Sequence, residues 1–286
     1  MGISIKTYTH TGLCITDKRI VGVTAHVEDK KVVVTNAQSL DRTGTIAEDV
    51  TRFVESYSVD TGFYGMVADI KTETALTHFE PRNFNVKEFV KWNIDDIFTF
   101  APNTFEVEVC KREYPRHTYY LFLVAIEKDG LQMMQKGILE NSMPINVIDF
   151  WPIPATYSYT KRTGTIMGIV DNDTMHLWAW WKDISVKDCI VSCNGGDIAK
   201  ALIALEEELK LFGVEEVEGV RFYNIQHLTE EQRIDLKSIE GVYGKIQYIP
   251  YEFTGDTNRQ CKLGELEWDM ALGLTTRGLH WIGQGW

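Results

Sequence analysis

The sequence is short of basic residues, with 29 Lys and Arg against 41 Asp and Glu and a formal net charge of −12. Binding to a nucleic-acid backbone depends on clustered Lys and Arg, so this balance argues against a nucleic-acid partner. Cysteine is also scarce, and the five residues lack the spacing of a disulfide framework, so we expect reduced thiols. Cys189 and Cys193 have no second Cys or His pair nearby that would complete a zinc site.

Long apolar runs are missing as well. No uninterrupted apolar stretch is long enough to cross a bilayer, and the first residues lack the basic-then-apolar order of a signal peptide. A cytoplasmic protein is therefore expected. The sequence contains no P-loop, Rossmann fingerprint, Gly-x-Ser-x-Gly elbow or His-Glu-x-x-His motif, so it predicts neither a catalytic residue nor a metal site.

Three apolar strands followed by a helix organise the sequence. The strands are predicted at 165–170, 175–181 and 184–193, with a turn at Asp171-Asn172-Asp173. Gly195-Gly196 leads into a helix with an apolar stripe, and Asp197 is predicted to cap it. The first part of the chain repeats this pattern, which predicts a duplicated α/β fold. The repeat comprises a turn near 9–12, strands at 13–16, 20–27 and 32–37, and a helix at 46–57 with a Thr45–Glu48 capping box.

Between about 74 and 127 the order of elements is strand, helix, strand, strand, which predicts a compact α+β insertion. Trp92 falls just off the apolar stripe of the insertion helix. Past residue 211 the sequence predicts further elements in this order: a strand at 220–225, a helix opened by Thr229 and Gln232, a strand at 245–250, a polar loop at 251–263 and a helix at 265–274.

This order of elements resembles the PilM family of type IV pilus assembly proteins, actin-like relatives of the cell-division protein FtsA. The resemblance rests on short motifs: Trp92-Asn-Ile-Asp95 before Phe100-Ala-Pro102, Leu123-Val124-Ala125 with Lys128, Val147-Ile148-Asp149, Val170-Asp171, Gly195-Gly196-Asp197, and Ala271-Leu272-Gly273-Leu274 before Arg277-Gly278. It implies a duplicated actin-like (ribonuclease H-like) α/β fold with a small inserted α+β subdomain and a reduced second lobe. The implied subdomains are 1–73 with 128–163, then 74–127, then 164–286.

The departures from the family concern nucleotide binding. Phosphate hairpins of actin-like ATPases carry an aspartate and tight-turn glycines, because backbone N–H groups must approach the phosphates closely. The first such motif falls at Ser4-Ile5-Lys6 and lacks both, while the second keeps Asp171 but has Asp173 in place of glycine. The glycine pair of the adenine strand is replaced by Asn224-Ile225-Gln226-His227. Little or no ATP hydrolysis and no required cofactor are therefore expected.

Asp171, Gly195 and Gly196 are the candidate residues of a vestigial site for ATP and Mg²⁺. Each has a structural alternative that stays open: Asp171 fits a turn residue that bonds its own backbone, and the glycine pair fits a strand-to-helix turn.

The resemblance implies a cytoplasmic scaffold of a type IV pilus or competence pilus machine. Such a scaffold would bind the cytoplasmic tail of a PilN-like inner-membrane protein and would reach the membrane only through that partner. Trp92 is the candidate partner contact. Self-association stays open, and so do two alternative functions: an active actin-like ATP-binding protein of the same machine, and the cytoplasmic domain of a type II secretion platform protein.

Overall fold

The computed structural model describes residues 8–57, 62–79, 85–101, 103–114, 118–160, 162–257 and 264–282. The chain divides into two compact units. Unit 1 comprises Met1–Asp69, Gln132–Thr160 and Gln247–Trp286, and unit 2 comprises Ile70–Leu131 and Lys161–Ile246. Within the described ranges, every helix is too short or too polar to cross a membrane.

The described residues form thirteen strands and six α-helices, numbered along the chain. The strands are β1 (His10–Ile15), β2 (Arg19–Glu28), β3 (Lys31–Asp41), β4 (Phe63–Ala68), β5 (Thr72–Phe79), β6 (Phe105–Tyr114), β7 (Thr118–Glu127), β8 (Ile145–Ile148), β9 (Thr165–Asp171), β10 (Thr174–Trp181), β11 (Ile184–Ser192), β12 (Gly219–Tyr223) and β13 (Tyr251–Thr257). The helices are α1 (Ile46–Ser56), α2 (Val86–Ile97), α3 (Lys128–Glu140), α4 (Gly195–Leu211), α5 (Glu230–Tyr243) and α6 (Leu266–Trp281).

Unit 1 is built on a six-stranded sheet with the order β13-β3-β2-β1-β4-β8. Helix α1 covers one face, where the Phe53 ring lies directly against Gly22. Helix α6 covers the other face and approaches β1 so closely that a side chain at Gly12 would overlap with its backbone. The Thr275 hydroxyl of α6 accepts a hydrogen bond from Gly12 N–H at 2.9 Å and lies 2.7 Å from Val23 O. These buried bonds fix the helix to two adjacent strands.

Unit 2 repeats the arrangement of unit 1. Its four-stranded sheet has the order β11-β10-β9-β12, which matches β3-β2-β1-β4 strand for strand and in the sense of each pairing. Helix α4 follows β11 as α1 follows β3, and α4 packs on β10 and β11. The predicted duplicated α/β fold is confirmed.

Unit 2 also contains the predicted α+β insertion, a three-stranded sheet with the order β5-β7-β6. Helix α2 packs on one of its faces through Val90, against Leu121, Leu123 and Ala125 of β7. The stacked rings of Phe98, Phe100 and Phe105 close the end of this small core, with centroid separations of 5.0 and 4.1 Å.

The C-terminal part of the chain differs from the sequence-based predictions. Residues 251–257, predicted as loop, form β13, which pairs in parallel with β3 at the edge of the unit 1 sheet. An edge strand is partly exposed to solvent and does not need a regular pattern of apolar residues. Its polar sequence can therefore resemble that of a loop. The predicted strand at 245–250 makes only isolated bridges, through Lys245 and Tyr248. Residues 247–286 group with unit 1, whereas the predicted subdomain 164–286 placed them with the second lobe.

Two local predictions also need correction. The predicted turn at 9–12 lies mostly inside β1, where His10 pairs with Ala25 and Gly12 with Val23. The N-cap of α4 is Asn194 rather than Asp197, because the Asn194 side chain accepts a hydrogen bond from Asp197 N–H at 2.9 Å. The capping boxes of Thr45 with Glu48 and of Thr229 with Gln232 are confirmed.

His10 is a buried polar residue in the core of unit 1. Its Nε2 lies 2.8 Å from Asn146 Oδ1 of β8, and its ring lies against Gly278 of α6. Its Nδ1 has no hydrogen-bond partner among the described residues. Burial lowers the pKa of His10 from 6.5 to about 4, although the hydrogen bond to Asn146 acts in the opposite direction.

We expect Gly273→Ala to destabilise the fold by about 1–3 kcal/mol, because a methyl group there would overlap with the carbonyl of Pro154. Gly241→Ala in α5 is the matched control: it meets open space, and alanine is the better helix former by about 0.5–1 kcal/mol. Urea denaturation of both variants measures the two effects. Equal stability changes of the same sign would contradict this account of the α6 contact.

The free energy of unfolding is expected to fall as the pH drops from about 6.5 to about 4. Unfolded His10 takes up a proton near pH 6.5, whereas folded His10 does so only near pH 4, so acid favours the unfolded state in this window. The shift corresponds to about 3 kcal/mol. His10→Gln should remove that part of the pH dependence in urea titrations, and His227→Gln, at an exposed histidine, should retain it. Identical pH profiles for both variants would exclude His10 as the source.

Candidate functional site

One end of the unit 2 sheet gathers the residues predicted for a vestigial nucleotide site. Strands β9, β11 and β12 all run toward this end, and β10 starts there. Asp171 closes β9, while Gly195 and Gly196 open α4 just after β11. The two loops are joined directly, because Cys193 N–H donates to Asp173 O at 3.0 Å. The fold therefore places Asp171 and the glycine pair at the same end of the sheet.

The hairpin between β9 and β10 is closed by its own side chains. Asn172 adopts a positive φ of 52°, and its amide lies 3.0 Å from Asp171 Oδ1. The Thr174 hydroxyl donates to Asp171 O at 3.0 Å. Asp171 is exposed, and within the turn its carboxylate is bonded to the Asn172 side chain and its backbone carbonyl to the Thr174 hydroxyl.

The N-terminus of α4 is surrounded by carboxylates of the protein. Asp235 of α5 lies against Gly195, where its Oδ2 would be 2.7 Å from a β-carbon. Asp197 accepts hydrogen bonds from Ser192 at 2.6 Å and from Asn194 at 2.5 Å, and these bonds lower the pKa of its carboxyl group. The positive end of a helix dipole attracts anions, but here two carboxylates already occupy its surroundings. A phosphate at this position would be repelled.

Asn224 follows β12 at the same end of the sheet, in the place predicted for the missing glycine pair. It adopts a left-handed conformation with a φ of 60°, and a short 3₁₀ helix at Ile225–His227 comes after it. Asparagine tolerates this conformation better than other non-glycine residues. The turn of the backbone is therefore retained. Residues with side chains, however, occupy the positions at which a glycine pair would leave the backbone exposed.

The corresponding hairpin of unit 1 lies between β1 and β2. The predicted position Ser4-Ile5-Lys6 lies outside the described residues. Asp171 pairs with Thr174 across its turn, and Thr16 N–H donates to Arg19 O across the unit 1 turn, so Thr16 is the equivalent of Asp171. The Thr16 hydroxyl oxygen accepts from Lys18 N–H at 3.3 Å and from Arg19 N–H at 3.1 Å. Backbone N–H groups of such a turn would have to bind a phosphate, and in this protein a threonine already satisfies them.

Asp149 follows β8 and is held in an ion pair with Arg277 of α6. The Arg277 guanidinium lies over the Tyr157 ring, 4.8 Å from its centroid. Asp149 also accepts from Phe150 N–H at 3.0 Å. A carboxylate already paired and hydrogen-bonded in this way is poorly placed to activate a water molecule.

Trp92 projects from the outer side of α2, with 79% of its surface exposed. The same helix presents carboxylates one turn before it, at Glu88, and one turn after it, at Asp95 and Asp96, all exposed. The opposite side of α2 forms the core of the insertion, so Trp92 is not needed for packing. A large exposed aromatic side chain flanked by charges is typical of a contact for another molecule.

Metal binding finds no support in the part of the chain that the structure describes, where no group of three or more His, Cys, Asp or Glu side chains converges. Among the described residues, Cys14, Cys189 and Cys193 are free thiols. The Cys189–Cys193 pair therefore stays without the further ligands that zinc would need.

Two features of these surfaces were missed in the sequence. They are the hydroxyl of Thr16 in the unit 1 hairpin and the approach of Asp235 to Gly195. The first could have been found from the threonine that opens a short turn. The second depends on how α5 lies beside α4, a contact between distant residues that periodicity does not reveal.

Comparison with known proteins shows similarity in fold only. No family model matches the sequence, and neither does any curated protein. A solved structure of the PilM–PilN type IV pilus biogenesis complex matches with a TM-score of 0.59 at 12% identity, over 94% of this chain and 98% of that chain. The chain thus has the actin-like fold of the PilM-type structure, as the sequence predicted.

Two further structures are similar at lower TM-scores. The cytoplasmic domain of EpsL, an inner-membrane component of the type II secretion system of Vibrio cholerae, matches at 0.45 and 10% identity, over 84% of this chain and 97% of that chain. A protein of unknown function with an actin-like ATPase fold from Bacteroides thetaiotaomicron matches at 0.45 and 8% identity, over 89% and 94%.

Proposed function

We propose that this protein is a cytoplasmic scaffold of a type IV pilus or competence pilus assembly machine. In this proposal it binds the cytoplasmic tail of a PilN-like inner-membrane protein, reaches the membrane through that partner and does not hydrolyse ATP. The observation that supports it most is the match of nearly the whole chain to the PilM–PilN complex, at a TM-score of 0.59.

The internal bonds of the two hairpin turns and the carboxylates at the N-terminus of α4 support the proposal that the protein does not hydrolyse ATP. Thr16 occupies the N–H groups of one turn, Asp171 is bonded within the other, and Asp197 and Asp235 surround the N-terminus of α4. Binding of a triphosphate would require these internal bonds to break and the carboxylates to move away. Each internal bond that breaks costs about 1 kcal/mol or more, and new bonds to the phosphate oxygens would first have to offset this cost.

The exposed side of α2 formed by Glu88, Trp92, Asp95 and Asp96, called the Trp92 surface below, supports the partner-binding role. A membrane protein's cytoplasmic flank is enriched in Lys and Arg, and the carboxylates around Trp92 would attract such a segment. The indole ring would then bury apolar area at the centre of the contact and accept a cation over its face. This division between charged rim and aromatic centre is common to high-affinity protein contacts.

Calorimetry with Mg·ATP tests the nucleotide prediction. We expect no saturable heat of binding and no phosphate release, and the same result for Asp171→Ala. Asp129→Ala, at an exposed aspartate of α3, is the matched control. Saturable binding that Asp171→Ala abolishes and Asp129→Ala retains would contradict the proposal and favour the active ATP-binding alternative.

Calorimetry with the synthetic cytoplasmic tail of the PilN-like protein from the same organism tests partner binding. We expect saturable binding, weakened about tenfold or more by Trp92→Ala, because truncation of a central tryptophan typically costs more than 1 kcal/mol. Trp281→Ala is the matched control, since Trp281 is also well exposed but lies on α6 of unit 1. Failure of the wild-type protein to bind the tail, or equal weakening by both variants, would count against the proposed contact.

A further inference from the structure

Strand β11 is an outer strand of the unit 2 sheet and changes character along its length. Residues 184–186 are buried, whereas 187–192 are exposed or half-buried, and Ile190 has 67% of its surface exposed. A register shift between Ala179 and Trp180 of β10 lies opposite the change. A register shift of this kind, a β-bulge, changes the direction of an edge strand. The second half of β11, residues 187–192, is called the free edge below.

The hydrogen-bond register shows which backbone groups face outward along the free edge. In an antiparallel pair, facing residues alternately exchange two backbone bonds or none. Cys193 N–H donates to Asp173 O, so residues 173 and 193 form a hydrogen-bonded pair. Every second facing pair counted from there along the two strands is therefore hydrogen-bonded as well. The intervening residues Asp188, Ile190 and Ser192 therefore direct their N–H and C=O groups away from β10. Among the described residues, no other strand is paired with this edge.

The side chains of these outward residues form a preorganised surface. His176 Nε2 of β10 lies 2.6 Å from Asp188 Oδ2, and the His176 ring stacks on Trp178 with a centroid separation of 3.7 Å. Ile190 is the direct cross-strand neighbour of His176. An exposed apolar side chain thus stands beside an aromatic pair whose orientation is already fixed, so little side-chain freedom would be lost on binding.

The charge around the free edge is negative. Asp188 lies on it, Asp173 lies in the turn bonded to Cys193, and Asp197 accepts a hydrogen bond from Ser192. Lys187 is directed to Glu208 of α4 at 3.5 Å. Acidic side chains at an open edge favour a partner that carries Lys or Arg.

We propose that the free edge of β11 is a second interaction surface, which accepts an extended, basic segment of another protein as an added strand. The backbone of the segment would bond to Asp188, Ile190 and Ser192, one of its apolar side chains would cover Ile190, and its cations would face the carboxylates. This surface is separate from the Trp92 surface and does not depend on the proposed pilus function.

A second copy of the chain fits the edge less well. Pairing of two β11 strands across a two-fold axis would bring the same surface of both copies together. The carboxylates of Asp173, Asp188 and Asp197 from both copies would then lie at one interface, and like charges brought close to each other destabilise a strand pair. A partner that carries Lys or Arg would instead be attracted by these carboxylates.

Fluorescence anisotropy with a short labelled peptide that alternates valine and lysine tests the proposal with the full chain. We expect saturable binding that Ile190→Lys weakens about tenfold, which corresponds to about 1.4 kcal/mol. Ile203→Lys, the same substitution at an exposed isoleucine of α4, and Trp92→Ala should retain binding. A peptide of the same sequence with N-methyl groups on one edge should bind at least tenfold less tightly, because it loses two or more backbone hydrogen bonds to the free edge.

Several outcomes would overturn the proposal. They are absence of saturable binding, equal binding of the N-methylated peptide, and loss of binding in Trp92→Ala with retention in Ile190→Lys. A wild-type dimer that Ile190→Lys dissociates in analytical ultracentrifugation would instead assign the edge to self-association. Hydrogen exchange supplies an independent measurement, in which the peptide should slow exchange at Ile190 and Ser192 of the wild-type protein.

Discussion

The close approach of α6 to β1 is the contact on which unit 1 depends. Gly12 and Gly278 remove the side chains that would hold the helix away from β1, and the Thr275 hydroxyl then reaches two strands at once. Gly273 allows a similar close contact of α6 with Pro154. The same approach encloses the His10 ring and places Arg277 beside Asp149. Packing of this kind leaves no room for side-chain growth, so the helix, the sheet and the ion pair are constrained together.

The hairpin turns of both units are held by side chains of the protein itself. A hairpin turn needs its backbone groups satisfied, and either a ligand or a neighbouring side chain can do so. Here the side chains of Thr16, Thr174 and Asn194 provide such bonds from within the chain. These internal bonds fix the geometry of the turns. Elsewhere on unit 2, the outer side of α2 and the free edge of β11 carry large exposed apolar side chains, Trp92 and Ile190.

Sequence patterns predicted the features that depend on neighbouring residues. Both capping boxes, the β9–β10 hairpin and the apolar stripe of α4 involve residues within a few positions of each other. Trp92 was predicted off the apolar stripe of its helix and is exposed. Features set by distant contacts were not predictable: β13 is a strand because β3 is available beside it, and Asp235 meets Gly195 because α5 lies beside α4. The cap of α4 shows a third limit, because Asn194 and Asp197 are both good capping residues and only the geometry distinguishes them.

The segment 247–286 completes unit 1 although nearly two hundred residues separate it from β1–β4. Every residue of unit 2, by contrast, precedes position 247. During synthesis, the ribosome therefore translates all of unit 2 before β13 and α6. At about 5–20 residues per second, the first strands of unit 1 wait on the order of tens of seconds with the α6-facing side of β1 and β2 uncovered. The unit whose strands are made first is thus the one completed last, and a nascent-chain chaperone would find its binding surface there.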